Sequence, residues 1–176
     1  MTDEFLDEEL SQMYDESAKP PKVLDATAFH TPIKSLKVRK PVMVSPDHSV
    51  AAAIELMQEK KLGCVAVTEN EKLVGIFTER DVLMKIAGKL DPATLKVRDV
   101  MTLRPEAFQP EDSIAFILNA MHVGGYRHVP VVDDQGRPLA VASIKDIVSF
   151  ILDHFAEDVL NLPPEPMRKT EQREGA

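Results

Sequence analysis

The middle of this chain is one pattern written twice, and an internal repeat constrains a fold more than any single element, because both copies must take the same shape. Lys37-Val38-Arg39 recurs as Lys96-Val97-Arg98, Pro46-Asp47-His48-Ser49-Val50 as Pro110-Glu111-Asp112-Ser113-Ile114, and Val65-Ala66-Val67 as Pro130-Val131-Val132. Thr78-Glu79-Arg80-Asp81 recurs as Ser143-Ile144-Lys145-Asp146. Matched this way the offset is 59 at the start, 64 at the first helix and 65 from the central strand onward. That matching puts an insertion in the second copy around Arg104 to Phe108 and one more residue near Gly124-Gly125.

Each copy reads as strand, helix, strand, strand, helix. Ser49 and Ser113 are N-cap candidates, and the apolar residues behind them fall at helical spacing: Val50, Ala53, Ile54 and Met57, then Ile114, Ile117, Leu118 and Met121. Two apolar runs follow (Cys64 to Thr68 and Leu73 to Phe77; Val129 to Val132 and Leu139 to Ala142), separated by turn residues and expected to form hairpins. A last helix opens at Thr78 or Ser143 and is expected to bury Val82, Leu83 and Ile86, or Ile147, Val148 and Ile151. A sheet with helices on one side leaves its other face apolar, so the two sheets are expected to pack against each other. The predicted class is α/β (α+β), two pseudo-twofold-related β-α-β-β-α repeats packed sheet to sheet, with residues 35–90 as the first domain and 91–155 as the second.

Charge and composition exclude several functions. No apolar stretch approaches the roughly 20 residues of a spanning helix and no apolar leader opens the chain, so a cytoplasmic protein without a membrane partner is expected. One cysteine, Cys64, excludes a disulfide framework. The absence of Trp, 5% aromatic residues and a net charge of −8 speak against nucleic acid. Seven acidic residues and no Lys or Arg lie between Met1 and Ala18, so removing that segment from −8 leaves −1 for the rest. Residues 1–22 read as a solvated acidic arm, with Phe5, Leu6, Leu10 and Met13 spaced for one amphipathic turn against an unidentified protein partner. Residues 161–176, opening on Asn161-Leu162-Pro163-Pro164, read as a Pro-rich charged tail.

The chemistry gathers where the second hairpin strand meets the last helix. A helix N-terminus presents unpaired amides and partial positive charge, so Thr78 and Ser143 open candidate phosphate sites. Asp81 and Asp146, one turn on, can each accept two hydrogen bonds, as the paired hydroxyls of a ribose would offer. The same spacing is close to a capping box, in which the carboxylate turns back on its own helix end. Arg80 and Lys145 sit in a first turn where they oppose the helix dipole, an arrangement that suits a neighbouring anion.

Leu73-Val74-Gly75-Ile76-Phe77-Thr78-Glu79-Arg80-Asp81 and Tyr126-Arg127-His128-Val129-Pro130-Val131-Val132 resemble a tandem pair of CBS domains, the regulatory module named after cystathionine β-synthase, over about Ser35 to Leu152. The resemblance implies a pseudo-twofold pair that regulates rather than catalyses. It also implies an adenosyl ligand in the clefts between the repeats (AMP, ADP, ATP or S-adenosylmethionine) and pairing of modules into a homodimer. It assigns the ribose to Asp81 or Asp146, and a phosphate to basic side chains at Arg127 and His128, which lead into a hairpin strand. Their partners in the first copy are read as Leu62 and Gly63, so one cleft is expected to be more basic than the other. A surface ion pair with Asp133 or Asp134 is the alternative role for Arg127, and a half-buried strand position that for His128.

Two departures bear on binding. Ala140 stands where the first copy has Gly75, and its methyl is expected to narrow one cleft. Phe108 either covers a base or covers the sheet edge, and Val44 and Val65 either line an adenine slot or belong to the core. No phosphate-binding loop, nucleophile elbow or zinc motif occurs, and the five histidines show no ligand spacing with Cys64, so neither enzymatic activity nor a metal is expected. The reading that competes with a nucleotide sensor is a ligand-free dimerisation scaffold.

Overall fold

Val65 and Val67 point to one side of the first hairpin and Cys64 and Ala66 to the other, yet all four are buried, so this sheet is covered on both faces. A computed structural model describes residues 29–154; the acidic arm, its amphipathic turn and the Pro-rich tail lie outside the described residues. After a 3-10 turn (Ile33–Ser35), the first repeat runs β1 (Met43–Val44), α1 (Val50–Lys60), β2 (Cys64–Glu69), β3 (Lys72–Thr78) and α2 (Glu79–Asp81). The single turn of α2 continues into a π-helical stretch (Val82–Ile86), where the Ala87 amide donates to the Val82 carbonyl. Then come α3 (Val97–Val100) and β4 (Thr102–Leu103), and the second repeat runs α4 (Ile114–Gly124), β5 (His128–Val132), β6 (Pro138–Ser143) and α5 (Ile144–His154).

The first sheet has the order β1-β2-β3-β4, with β1 parallel to β2 and the other pairs antiparallel. The second consists of the hairpin β5-β6, extended by single bridges from Phe108 to Val131 (parallel) and from Arg39 to Val141 (antiparallel). Turn chemistry differs between the hairpins. Asn70 and Glu71 both take positive φ in a two-residue turn, the conformation that matches strand twist. In the second, Asp133 accepts from the Gln135 and Arg137 amides and from the Arg137 guanidinium, and Gly136 takes the left-handed position.

Strand register corrects the matching of the copies. Cys64 pairs with Thr78 and Val65 with Phe77, while His128 pairs with Ser143 and Val129 with Ala142. The counterpart of Val65 is therefore Val129, and those of Gly63 and Cys64 are Arg127 and His128. A slip of one residue turns every strand side chain to the opposite face; Val65 and Val67 sit in one apolar cluster, and Val129 and Val131 in the other. The offset of 64 also holds upstream. Ile33 N donates to Asp112 O as Val97 N donates to His48 O, and Lys34 N donates to Pro110 O as Arg98 N donates to Pro46 O. No insertion lies at Arg104 to Phe108 or at Gly124-Gly125; the extra residue of the second copy falls in its hairpin turn.

These bonds show an exchange. The turn preceding the first repeat packs on the second, where Ile33 and Leu36 join Ile114, Ile117, Val129 and Ile147. The helix preceding the second repeat packs on the first, where Val97 and Val100 join Val50, Met57, Val65 and Phe77. The edge segments cross likewise, β4 onto β3 and Arg39 onto β6. The molecule is thus an α+β pair of repeats related by a pseudo-twofold axis, each finishing the other's core.

Two expected core positions are on the surface. Leu83 is 68% and its counterpart Val148 46% exposed, because one residue on from Val82 or Ile147 is about 100° around the helix. Ser49 caps α1 by accepting from the Ala52 amide at 3.2 Å, whereas Ser113 occupies the same position before α4 without a side-chain cap bond.

Candidate functional site

Pseudo-symmetry places two clefts at the seam, each opening on a strand-to-helix junction. One, of about 310 Å³, is lined by Thr78, Arg80 and Asp81 of the first repeat, Arg127 and His128 of the second, and Glu106. The other, of about 550 Å³, is lined by Ser143, Lys145 and Asp146, the same Arg127 and His128, and Lys61, Gly63 and Cys64 of the first repeat. The segment between the 3-10 turn and β1 closes it with Lys37, Arg39, Lys40, Pro41 and Val42. The structure thus brings Thr78, Arg80 and Asp81 into one cleft and Ser143, Lys145 and Asp146 into the other, and puts Arg127 and His128 between them.

Both junctions form the capping box that the spacing allowed. Thr78 N and Oγ1 donate to Asp81 Oδ2 at 2.9 and 2.7 Å, and Asp81 N donates back to Thr78 Oγ1 at 3.2 Å. Ser143 N and Oγ donate to Asp146 Oδ2 at 2.8 and 2.6 Å, with Asp146 N returning to Ser143 Oγ at 3.3 Å. Glu79 N and Ile144 N donate to the carbonyls of Gly63 and Arg127, each across its own hairpin. The hydroxyl protons and most first-turn amides are therefore committed to the fold. An anion in either cleft must be held mainly by side-chain cations.

The junctions differ in the remaining carboxylate oxygen. Asp81 is buried, and its Oδ1 meets Lys85 Nζ at 2.6 Å and Thr102 Oγ1 at 3.5 Å. Asp146 is half-buried, and among the described residues its Oδ1 has no hydrogen-bond partner. The charges differ too. Arg80 donates to the Gly125 carbonyl at 2.6 Å, binding the first repeat to the end of α4, and this cleft carries the carboxylates of Glu79, Asp81 and Glu106. The Ser143 cleft carries six Lys and Arg side chains against Glu79 and Asp146. Lys37 pairs with Asp153 at 2.9 Å, and Arg39, Lys40, Lys61, Arg127 and Lys145 have no ion-pair partner among the described residues. Arg127 does not pair with the second hairpin turn, where Asp133 holds Arg137 and Asp134 accepts from Gln109.

One cleft is indeed the more basic, but Arg127 and His128, which serve both, are not the cause. The segment with Lys37, Arg39 and Lys40 makes most of the difference; in the sequence Lys37 and Arg39 served only as markers of the repeat, and Lys40 was not singled out. The signal for them is a basic cluster, Lys34 to Lys40, in a chain of net charge −8. Phe108 pairs with Val131 and packs on the second core rather than over a cleft, and Val44 and Val65 are core. Ala140 is also core, and its counterpart Gly75 faces Met101 Sδ, which would lie 2.5 Å from an added Cβ. The Gly75-to-Ala140 difference therefore concerns packing and does not narrow a cleft.

His128 holds the seam. A Cβ on Gly63 would lie 2.7 Å from His128 Cε1, so the absence of a side chain at Gly63 makes room for the imidazole. Burial holds the His128 pKa below its ordinary 6.5; Glu79 and Asp146 oppose this and Arg127 adds to it. A depressed value favours the neutral ring, so its contribution to stability is present above about pH 6.5 and is lost as pH falls through the folded value. The urea midpoint should fall between about pH 7.5 and pH 5, and His128→Gln should flatten that fall. An equal slope in the variant would locate the titration elsewhere.

Burial pushes the Cys64 thiol up to about 12, with the Glu79 charge adding to it, so the sulfur stays protonated and is no nucleophile near neutral pH. Tyr126 donates its hydroxyl to Glu106, and burial is the larger cause of its pKa rising to about 12. Among the described residues no group of three or more His, Cys, Asp or Glu is placed to hold a metal, and no helix is long and apolar enough to cross a membrane.

Twin hairpin-and-helix repeats that finish each other's cores and leave clefts at their seam define a paired-repeat module with two inter-repeat clefts. The CBS domain family model matches residues 33–88 and 97–153, and the chain belongs to that family. It is 37% identical over 106 residues to the CBS domain-containing protein CBSCBSPB1 of Arabidopsis thaliana, covering 60% of this chain and about a fifth (20%) of that relative's length. Among solved structures it is similar to the CBS-domain-containing protein ATU1752 from Agrobacterium tumefaciens, with 34% identity and a TM-score of 0.62 over 68% of this chain and 98% of that one. The CBS domain pair of protein MJ0100, solved with 5′-methylthioadenosine and S-adenosylmethionine, shares the fold at 20% identity and a TM-score of 0.63, over 69% of this chain and 95% of that one.

Proposed function

We propose that the chain is a cytoplasmic sensor module that takes an adenine nucleotide in the Ser143–Asp146 cleft and signals through the geometry of a homodimer of such pairs. The observation that carries this reading is that, among the described residues, Asp146 Oδ1 is unshared at the edge of a cleft with five cations that have no carboxylate partner. Asp146 Oδ1 accepts from a ribose hydroxyl, Arg127, Lys145 and Arg39 hold phosphate oxygens, and Pro41, Val42 and Leu62 offer apolar surface to a base. Guanidinium suits the phosphate because its planar fork donates in pairs. The adenosyl ligands of MJ0100 support the ligand class. The cation count favours ATP or ADP over AMP, and all three over S-adenosylmethionine, whose sulfonium meets like charge. The Thr78–Asp81 cleft is structural in this reading, with Asp81 tied to Thr78, Lys85 and Thr102 and Arg80 tied to the Gly125 carbonyl.

Support for pairing of modules lies in Leu83, Met84, Phe116, Val148 and Leu152, large apolar side chains exposed on the helices and the π-helical stretch. Leu83 and Val148 are repeat counterparts, so part of this surface follows the pseudo-dyad, as a twofold interface would use it.

A thermal-shift panel tests the reading. A ligand at a hundred times its Kd that binds only the folded state stabilises it by about 2.7 kcal/mol. ATP should raise Tm by several degrees, AMP less and S-adenosylmethionine least. A panel in which no adenosyl compound moves Tm would leave the ligand-free dimerisation scaffold as the better account.

A further inference from the structure

We infer that His128 and Glu79 form a proton-operated wall between the two clefts, in which His128 takes up a proton when an anion enters the Ser143–Asp146 cleft. For the identity of that anion this rests on the nucleotide reading above. Among the described residues four line both clefts: Gly63 and Glu79 of the first repeat, Arg127 and His128 of the second. Both repeats therefore build the partition between the clefts. An imidazole is the side chain whose charge changes near neutral pH, so the partition holds a group able to switch.

His128 Nε2 and Glu79 Oε2 lie 2.8 and 3.5 Å from one point, the place that a Cβ on Gly63 would take. The ring edge and the carboxylate thus flank the gap that the glycine leaves. The charged groups facing the half-buried ring are Glu79 from α2, Asp146 from α5 and Arg127, which immediately precedes β5. β2 adds Cys64, which stays an uncharged thiol, and Lys61 at the end of α1 and Lys145 on α5 line the same cleft. Burial and Arg127 favour the neutral ring, the two carboxylates favour the charged one, and the balance falls on the neutral side. An anion in the Ser143 cleft reverses that balance. It offsets Arg127 and adds negative charge beside the ring, which favours the imidazolium. Nε2, now a donor, faces Glu79 across the gap and draws α2 of the first repeat toward β5 of the second. A complex that holds one more proton than its free components strengthens as pH falls.

NMR titration of the histidine rings in the full chain, from about pH 5.5 to 8.5, tests this with no anion, with inorganic tripolyphosphate and with ATP. The His128 midpoint should start below 6.5 and move up on saturation with either anion. Exposed His48 and His122, which line neither cleft, should keep theirs. Glu79→Gln should lower the His128 midpoint of the free protein, because it removes a charge that favours the imidazolium. Titration calorimetry supplies the affinities. Between about pH 8 and pH 6, tripolyphosphate binding should gain about three- to tenfold over what His128→Gln gains, the variant accounting for the anion's own protonation. A His128 midpoint that stays in place while an anion binds would overturn the inference, as would equal pH dependence in parent and variant, or a free midpoint indifferent to Glu79→Gln. Movement with tripolyphosphate but no binding of ATP would uphold the proton linkage and end the nucleotide reading. ATP binding with a stationary midpoint would do the reverse, and binding of neither anion would overturn both.

Discussion

Asp146→Ala should abolish most nucleotide binding at a small cost in stability, and Asp81→Ala should do the reverse. The two residues are repeat counterparts in the same capping box, so whatever separates their phenotypes comes from their surroundings. Truncating Asp146 removes bonds from Ser143 N and Oγ, a loss of about 0.5–2 kcal/mol for a cap whose neighbourhood water can reach. The same change removes the charged acceptor proposed for the ribose. A charge-assisted hydrogen bond contributes about 1.5–3 kcal/mol, so ATP affinity should fall by about a hundredfold, equivalent to ~2.7 kcal/mol. Truncating Asp81 releases Thr78, Thr102 and Lys85 together from a buried carboxylate, and the urea midpoint should drop by the equivalent of about 1–3 kcal/mol. ATP affinity per folded molecule should stay within about twofold of the parent, since that change lies outside the basic cleft. Titration calorimetry and urea unfolding on the two variants give the four numbers. Equal losses of affinity would mean that both clefts bind, and equal losses of stability with affinity unchanged would mean that both carboxylates are caps and nothing more.

The repeat made the order of elements legible, and with it the junctions, because Ser-x-x-Asp and Thr-x-x-Asp follow hairpins in both copies. Register was not legible at single-residue precision. Val65-Ala66-Val67 shares two residues with Val129-Pro130-Val131 and one with Pro130-Val131-Val132, a margin of a single residue, and the pairing of Cys64 with Thr78 and of His128 with Ser143 decides between them. That difference of one moved the counterpart of Arg127 from Leu62 to Gly63, and with it the reason for a glycine there: the room that His128 needs. The basic cleft was legible only in part. Lys37, Arg39 and Lys40 lie about a hundred residues from Asp146 in the chain and reach it through a bridge of Arg39 to Val141, a long-range pairing that periodicity does not encode. Exchange of the turn and helix preceding each repeat was illegible for the same reason. Ile33–Ser35 and Val97–Val100 are too short to carry a helical period, and nothing local says which repeat they finish.

That exchange sets the other large effect. Ile33 is fully buried among Ile114, Ile117, Val129 and Ile147, although it precedes the first repeat in sequence. Ile33→Ala removes three carbons from a packed cluster and should destabilise the fold by about 2–5 kcal/mol, depending on how far the cluster collapses. The location of the damage is the sharper outcome. Amide exchange should accelerate first in α4, β5 and β6, whose core has lost a member, while β2 and β3 stay protected until global unfolding. Val97→Ala is the mirror test: Val97 is equally buried but sits with Val50, Val65 and Phe77, so its loss should expose β2 and β3 first. The opposite pattern, with each substitution loosening the repeat that follows it in sequence, would show that the cores are not exchanged. An intermediate case, both variants opening both hairpins together, would mean that the crossing edges β4 and Arg39 couple the repeats into one cooperative unit, so that a ligand gripping Asp146 and Arg39 at once would stabilise both halves.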